Sequence, residues 1–240
     1  LSKRISVLSV PIDCMTMKET ISRIVNLTKE PGLHIVATAN AEMVMLAIQN
    51  PVLHGILNAA SLVVPDGAGI LWAAERIGEK VPERVTGVDI TKELFGIASI
   101  ENLPIYCLGA APGVAERAVK NLESQFGSVP LAGIHDGFFD ESEELRIIEE
   151  IKTSKAKLVF VALGVPKQEQ WIAEKLSSLD GVVAIGIGGT FDVLAGNIPR
   201  APKWMQENRL EWLYRLYLEP QRIGRMLAIP KFIWTVIKNK

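Results

Sequence analysis

The feature that most restricts this chain is a repeating alternation through its first 198 residues: short apolar runs, each followed by an amphipathic stretch with helical spacing. The apolar runs are Ile5–Val10, His34–Thr38, Leu62–Val64, Pro104–Leu108, Leu131–His135, Lys157–Leu163 and Val182–Ile187. A strand covered on both faces shows no polar alternation, and a helix between two strands returns the chain so that the next strand runs in the same direction. The pattern therefore predicts an α/β fold, a Rossmann-like and mostly parallel sheet with helices on both faces. Helix-start signals agree. Thr16-Met17-Lys18-Glu19 is a capping box for a helix reaching about Lys29, just before Pro31-Gly32. Asn40 is placed to cap a helix carrying Met43, Val44, Ala47 and Ile48, and 113–126 and 141–153 read as two more helices.

The alternation stops near Ile198-Pro199-Arg200-Ala201-Pro202, which divides the chain into an α/β core (1–198) and a C-terminal helical appendage (199–240). Charge divides at the same place. The net charge of the 240 residues is −1, yet residues 200–240 hold nine Lys and Arg against three acidic residues, leaving a core of −7 under a tail of +6. Six of the 15 aromatic residues lie in that tail, including three of the five tryptophans. A near-neutral total gives no case for nucleic acid as a partner. Leu227 to Ile237, the tail's longest apolar stretch, is broken by Pro230 and Lys231 and is too short to span a bilayer. No apolar leader is seen at the start, and Cys14 and Cys107 have no metal or redox spacing. The expectation is a cytoplasmic protein, soluble or resting on a membrane surface.

In a sheet of this kind ligands bind beyond the carboxyl ends of the strands. Five such junctions are polar or glycine-rich: Thr38-Ala39-Asn40, 65–69, 109–113, 164–169 and 186–192. Glycine lets a backbone approach a phosphate, and a following helix start offers free N–H groups. Each junction alone is an ordinary turn; five together favour a nucleotide or sugar-phosphate site. Absences narrow the choice. The dinucleotide fingerprint, the P-loop and the nucleophile elbow are missing, and His34, His54 and His135 have no metal-ligand spacing. No Asp-x-Asp pair follows a strand, so no metal is expected to bridge a diphosphate. Arginines and helix N-termini are left for that task.

Eight segments, in order, carry a resemblance: TANAE (38–42), VPDGAG (64–69), ERVTGVD (83–89), LGAAPGVAE (108–116), ALGVPKQEQW (162–171), GIGGTFDVLAG (186–196), RAPKW (200–204) and LEWLYRL (210–216). Together they resemble the WecG/TagA/CpsF glycosyltransferase family. Members most similar to this chain, those of the TagA type, transfer N-acetylmannosamine from UDP-ManNAc to the 4-hydroxyl of GlcNAc on undecaprenyl diphosphate, in wall teichoic acid synthesis. Relatives use UDP-N-acetylmannosaminuronate for common antigen, or other sugars for capsule. The resemblance implies an inverting, metal-independent enzyme without a cofactor, whose general base is Asp66. Asp66 ends an apolar strand and precedes two glycines, which suits a base projecting into a cleft; a helix cap is the alternative.

Other roles follow from the same motifs. Thr38, Asn40 and Gln168 are neutral hydrogen-bonding groups suited to sugar hydroxyls and the N-acetyl group, or to capping and core contacts. Arg84 meets an anionic group or forms a solvated ion pair. Gly188 and Gly189 lie against the nucleotide with Asp192 on its ribose, and Gly109 to Gly113 form a second candidate wall for uridine. Lys167 faces phosphate or only solvent. Arg215, Arg222 and Arg225, spaced seven and three apart, close over the diphosphate, although Pro220 interrupts a shared helix face. The aromatic residues and lysines around them suit an anionic lipid surface, which places the enzyme peripherally on the inner face of the membrane. A cap on the core, or a subunit interface in a homo-oligomer, is the plainer reading of the tail. A nucleotide-sugar oxidoreductase or epimerase lacks its fingerprint here, and a noncatalytic membrane adaptor would not need Asp66.

Overall fold

The computed structural model describes residues 3–208 and 210–239, with the side chains of Gln206, Glu207 and Arg222 excepted. Eight strands and thirteen helices alternate along it. The strands are β1 (Arg4–Val7), β2 (Val10–Asp13), β3 (Leu33–Ala39), β4 (Leu62–Pro65), β5 (Ile105–Gly109), β6 (Leu131–His135), β7 (Leu158–Ala162) and β8 (Val182–Gly186). The core helices are α1 (Met17–Leu27), α2 (Ala41–Gln49), α3 (Pro51–Ala59), α4 (Ala68–Arg76), α5 (Gly87–Glu101), α6 (Val114–Phe126), α7 (Glu141–Thr153), α8 (Lys167–Lys175) and α9 (Thr190–Leu194). After them come α10 (Lys203–Glu207), α11 (Glu211–Leu218), α12 (Ile223–Met226) and α13 (Ala228–Lys238).

Strands β3 to β8 form one six-stranded sheet in the order β4-β3-β8-β7-β5-β6, parallel at every pairing. Successive side chains point to opposite faces, so each strand feeds two cores. Val36, Phe160, Val183 and Ile185 pack under α1, α5, α6 and α9. Ala37 and Ala39 face the opposite layer of α2, α3 and α4, and Val159, Val161 and Ala184 face Ile147 of α7 and Trp171 of α8. The expected α/β architecture, a parallel sheet flanked by helices with a helical region at the C-terminal end, is what the chain forms.

One expected strand is two. The run Ile5–Val10 turns on Leu8 (φ 50°) and Ser9 (φ 68°), and β1 and β2 pair antiparallel. Two consecutive positive φ angles give the tight hairpin whose twist matches its strands. Asp13 then ties the hairpin to the sheet, accepting from the Val63 N–H at 2.7 Å while pairing with Arg4 at 2.8 Å.

The C-terminal region folds back over the carboxyl edge of the sheet. Helix α13 buries Phe232 and Val236 among residues of α2 and α4. The ring of Phe232 lies against Gly69, where a Cβ would stand 3.6 Å away. Among the described residues, no helix is long and apolar enough to cross a membrane.

Candidate active site

A cleft of about 480 Å³ opens off the carboxyl ends of β3, β4 and β8, with α11, α12 and α13 as its far wall. Its floor brings together residues from distant motifs: Thr38, Asn40, Asp66, Arg84, Gln168, Gly188 and Gly189. Arg215 and Arg225 reach in from the appendage.

Asp66 sits where β4 ends. Gly67, not Asp66, is the N-cap of α4, and no side chain caps that helix. The carboxyl is therefore not spent on a cap. It accepts a long hydrogen bond, 3.4 Å, from the Gly87 N–H. Burial pushes its pKa up to about 6, against the opposing pull of the Gly87 N–H, Arg84 and Arg215; Glu211 adds to the rise. A carboxylate near that value keeps appreciable basicity while remaining mostly ionised at neutral pH.

The neighbouring polar groups serve the fold as well as the cleft. Thr38 donates to the Gly186 carbonyl at 2.9 Å, joining β3 to β8. Asn40 caps α2 through its carbonyl oxygen, 3.0 Å from the Met43 N–H, which leaves its amide NH₂ outside the cap. Gln168 is buried, and its oxygen accepts from the Gly188 N–H at 3.0 Å.

Among the described residues four arginines line the cleft, and each is held by a carboxylate. Arg84 pairs with Glu211 at 2.7 Å and Arg200 with Asp89 at 2.6 Å. Arg215 pairs with Glu219 at 3.2 Å and Arg225 with Glu42 at 2.6 Å. Three of these pairs join core to appendage, two through an arginine of the appendage and one through Arg84 of the core. Arg215 also lies across Gly189, where any Cβ would come within 2.5 Å of its Nη2. Arg200, Glu211 and Glu42 were not singled out from sequence. All three lie inside the matched motifs, but ion pairs spanning more than 100 residues leave no local signature. Trp72, Met226, Ile229 and Ile233 add apolar surface to the lining.

Not every expected site residue reaches this cleft. Gly109 and Gly113 are not among its lining residues. Their glycines answer to backbone geometry, with φ of +117° at Gly109 and +77° at Gly113. A Cβ on Gly109 would lie 2.5 Å from the Ala162 carbonyl oxygen of the neighbouring strand. Gly109→Ala is accordingly expected to destabilise the fold by about 2–5 kcal/mol, strain and overpacking combined, measured by chemical denaturation. Asp192 accepts from the Asn197 amide at 3.2 Å and stands beside the lining rather than in it. Lys167 is exposed, its ammonium 5.4 Å from the Phe139 ring centre. The Arg222 side chain lies outside the described residues. Among the described residues, no three His, Cys, Asp or Glu side chains cluster as metal ligands.

The cleft thus combines a buried carboxyl with a raised pKa, arginine side chains and apolar residues. Comparison with known proteins points the same way. The chain is similar to proteins named N-acetylglucosaminyldiphosphoundecaprenol N-acetyl-beta-D-mannosaminyltransferase in three species. Identity is 35% to that of Bacillus subtilis (86% of this chain, 80% of the relative) and 36% to that of Bacillus spizizenii (89% and 82%). It is 30% to that of Staphylococcus aureus, over 99% of this chain and 93% of the relative. The profile of the glycosyl transferase WecG/TagA/CpsF family matches residues 5–240, nearly the whole chain, and the chain belongs to that family.

Proposed function

We propose that the protein is an inverting glycosyltransferase that moves N-acetylmannosamine from UDP-ManNAc to the 4-hydroxyl of GlcNAc on undecaprenyl diphosphate, the step that makes the wall teichoic acid linkage disaccharide. The observation that carries this reading is Asp66: a cleft carboxyl free of capping duty, raised to about 6, with Arg84 and Arg215 near it. Its oxygen takes the proton of the acceptor hydroxyl as that oxygen attacks the anomeric carbon. The new glycosidic bond forms on one face while the bond to the UDP oxygen breaks on the other. The departing diphosphate carries the negative charge to the arginines, which act where water is partly excluded.

The appendage supports a second part of the proposal, attachment to the cytoplasmic face of the membrane. Trp204, Tyr217 and Trp234 are 58%, 80% and 62% exposed, and Lys238 sits 5.0 Å from the Trp234 ring centre. Aromatic rings beside basic groups suit an anionic lipid interface, and a lipid-linked acceptor would meet the enzyme there.

The test is UDP release from UDP-ManNAc in vesicles containing GlcNAc-diphospholipid, compared with UDP-ManNAcA and UDP-Glc. Turnover is expected with UDP-ManNAc alone, only with acceptor present, and unchanged in EDTA. Preference for another donor would move the protein to a common-antigen or capsule role. A strict need for Mg²⁺ or Mn²⁺ would sink the arginine account of the leaving group.

A further inference from the structure

After the exposed Lys167, the first turn of helix α8 carries two buried polar residues, and of the two only Gln168 lines the cleft. Gln168 is 1% exposed and Glu169 is 0% exposed. The Oε1 of Glu169 accepts from the Gln168 Nε2 at 2.7 Å, while its Oε2 is buried with no hydrogen-bond partner among the described residues. Burying a carboxyl so poorly satisfied is costly, and here it pushes the group's pKa up to about 7. A core needing only bulk would gain stability from an apolar residue at this place.

What Glu169 supplies is a direction for its neighbour. A side-chain amide has one donor end and one acceptor end, and the two are nearly the same shape. With Glu169 accepting at one end, the Gln168 oxygen must face the other way, where it receives the Gly188 N–H at 3.0 Å. A flipped amide would set oxygen against carboxyl and NH₂ against N–H. The space is shaped for this pair: a Cβ on Gly186 would stand 2.6 Å from the Gln168 Nε2 and 2.8 Å from the Glu169 Oε1. Beyond Gly188 comes Gly189, the surface on which Arg215 rests.

We propose that Glu169 is a positioning residue for donor binding, locking the Gln168 amide so that Gly188 and Gly189 are held in place beneath Arg215. The inference rests on the donor site proposed above. It assigns Glu169 no contact with substrate and no proton transfer.

The test is calorimetric titration of UDP into the full chain, with thermal unfolding recorded for each variant. Glu169→Gln keeps an acceptor oxygen for Gln168 and is expected to bind UDP within about threefold of the unsubstituted protein. Glu169→Met has similar length and no acceptor; it should unfold at an equal or higher temperature yet bind UDP about tenfold or more weakly. In Gln168→Met the same Glu169→Met change should add little, because its effect is transmitted through the amide. Unaltered UDP affinity in Glu169→Met, or equal losses in the Gln and Met variants, would overturn the proposal. Should the Met variant not fold, Glu169→Ala takes its place with the same expected loss. Failure of the unsubstituted protein to bind UDP would overturn the donor site itself, a result distinct from failure of Glu169's role.

Discussion

Asp66→Asn is expected to slow transfer by about 10²–10⁴-fold and, at the same time, to make the protein harder to unfold at neutral pH. The kinetic loss is that of a general base. The amide has nearly the carboxyl's shape and can still accept from the Gly87 N–H, so binding should suffer less than turnover. The stability gain follows from linkage. Asp66 titrates at about 6 in the folded chain against 3.8 for an ordinary aspartate, so the folded state holds the proton more tightly than the unfolded state does. Its contribution to stability is greatest below pH 4, declines as pH rises to 6, and stays lost above that. Asparagine removes the ionisation, so the variant should gain up to about 3 kcal/mol near pH 7–8 and nothing from this source near pH 3. In the unsubstituted enzyme, kcat/KM should fall tenfold per pH unit below about 6. Pre-steady-state UDP release with denaturation at two pH values checks both halves. Full turnover in the variant would remove Asp66 from the reaction.

Removing residues 199–240 is expected to abolish transfer. The truncation takes away Arg200, Arg215 and Arg225 together with Met226, Ile229 and Ile233, so the cleft loses three of its four described arginines and much of its apolar lining. Loss of even one group that stabilises a developing anion typically costs about 10²–10³-fold, and here several go together. The core should still fold, because its six-stranded sheet and both flanking layers lie before residue 199. Withdrawing Phe232 and Val236 uncovers apolar surface on α2 and α4, so the truncated chain should melt earlier and bind hydrophobic dyes. A far-ultraviolet spectrum with an acceptor-dependent assay separates the cases, and an active truncated core would show that the appendage does not complete the site.

Much of this arrangement is legible in the amino-acid sequence. The sheet strands were legible because parallel strands buried on both faces appear as continuous apolar runs. Asp66, Thr38, Asn40 and Gln168 were legible because strand ends in such a fold converge on one edge. The β1–β2 turn escaped because Leu8 and Ser9 adopt left-handed angles without the Gly or Asn that usually marks them. Gly109 and Gly113 show the reverse difficulty. A glycine that yields to a neighbouring strand looks the same in sequence as one that yields to a phosphate. Glu169 was hidden among the polar residues that an amphipathic helix is expected to expose, and only burial sets it apart.

The strand order also has a consequence for how the protein is made. Strand β3 is hydrogen-bonded on one side to β4, which follows it closely, and on the other to β8, where Leu33 pairs with Val182. Among the six strands of the large sheet, β8 is the last to be synthesised, and it occupies a central place between β3 and β7. Until it emerges from the ribosome, β3–β4 and β5–β6–β7 are two separate patches, each with an open edge and an apolar face. Folding therefore waits on the late strand, as expected for pairings so distant along the chain. Until β8 is made, the facing edges of β3 and β7 have no strand between them.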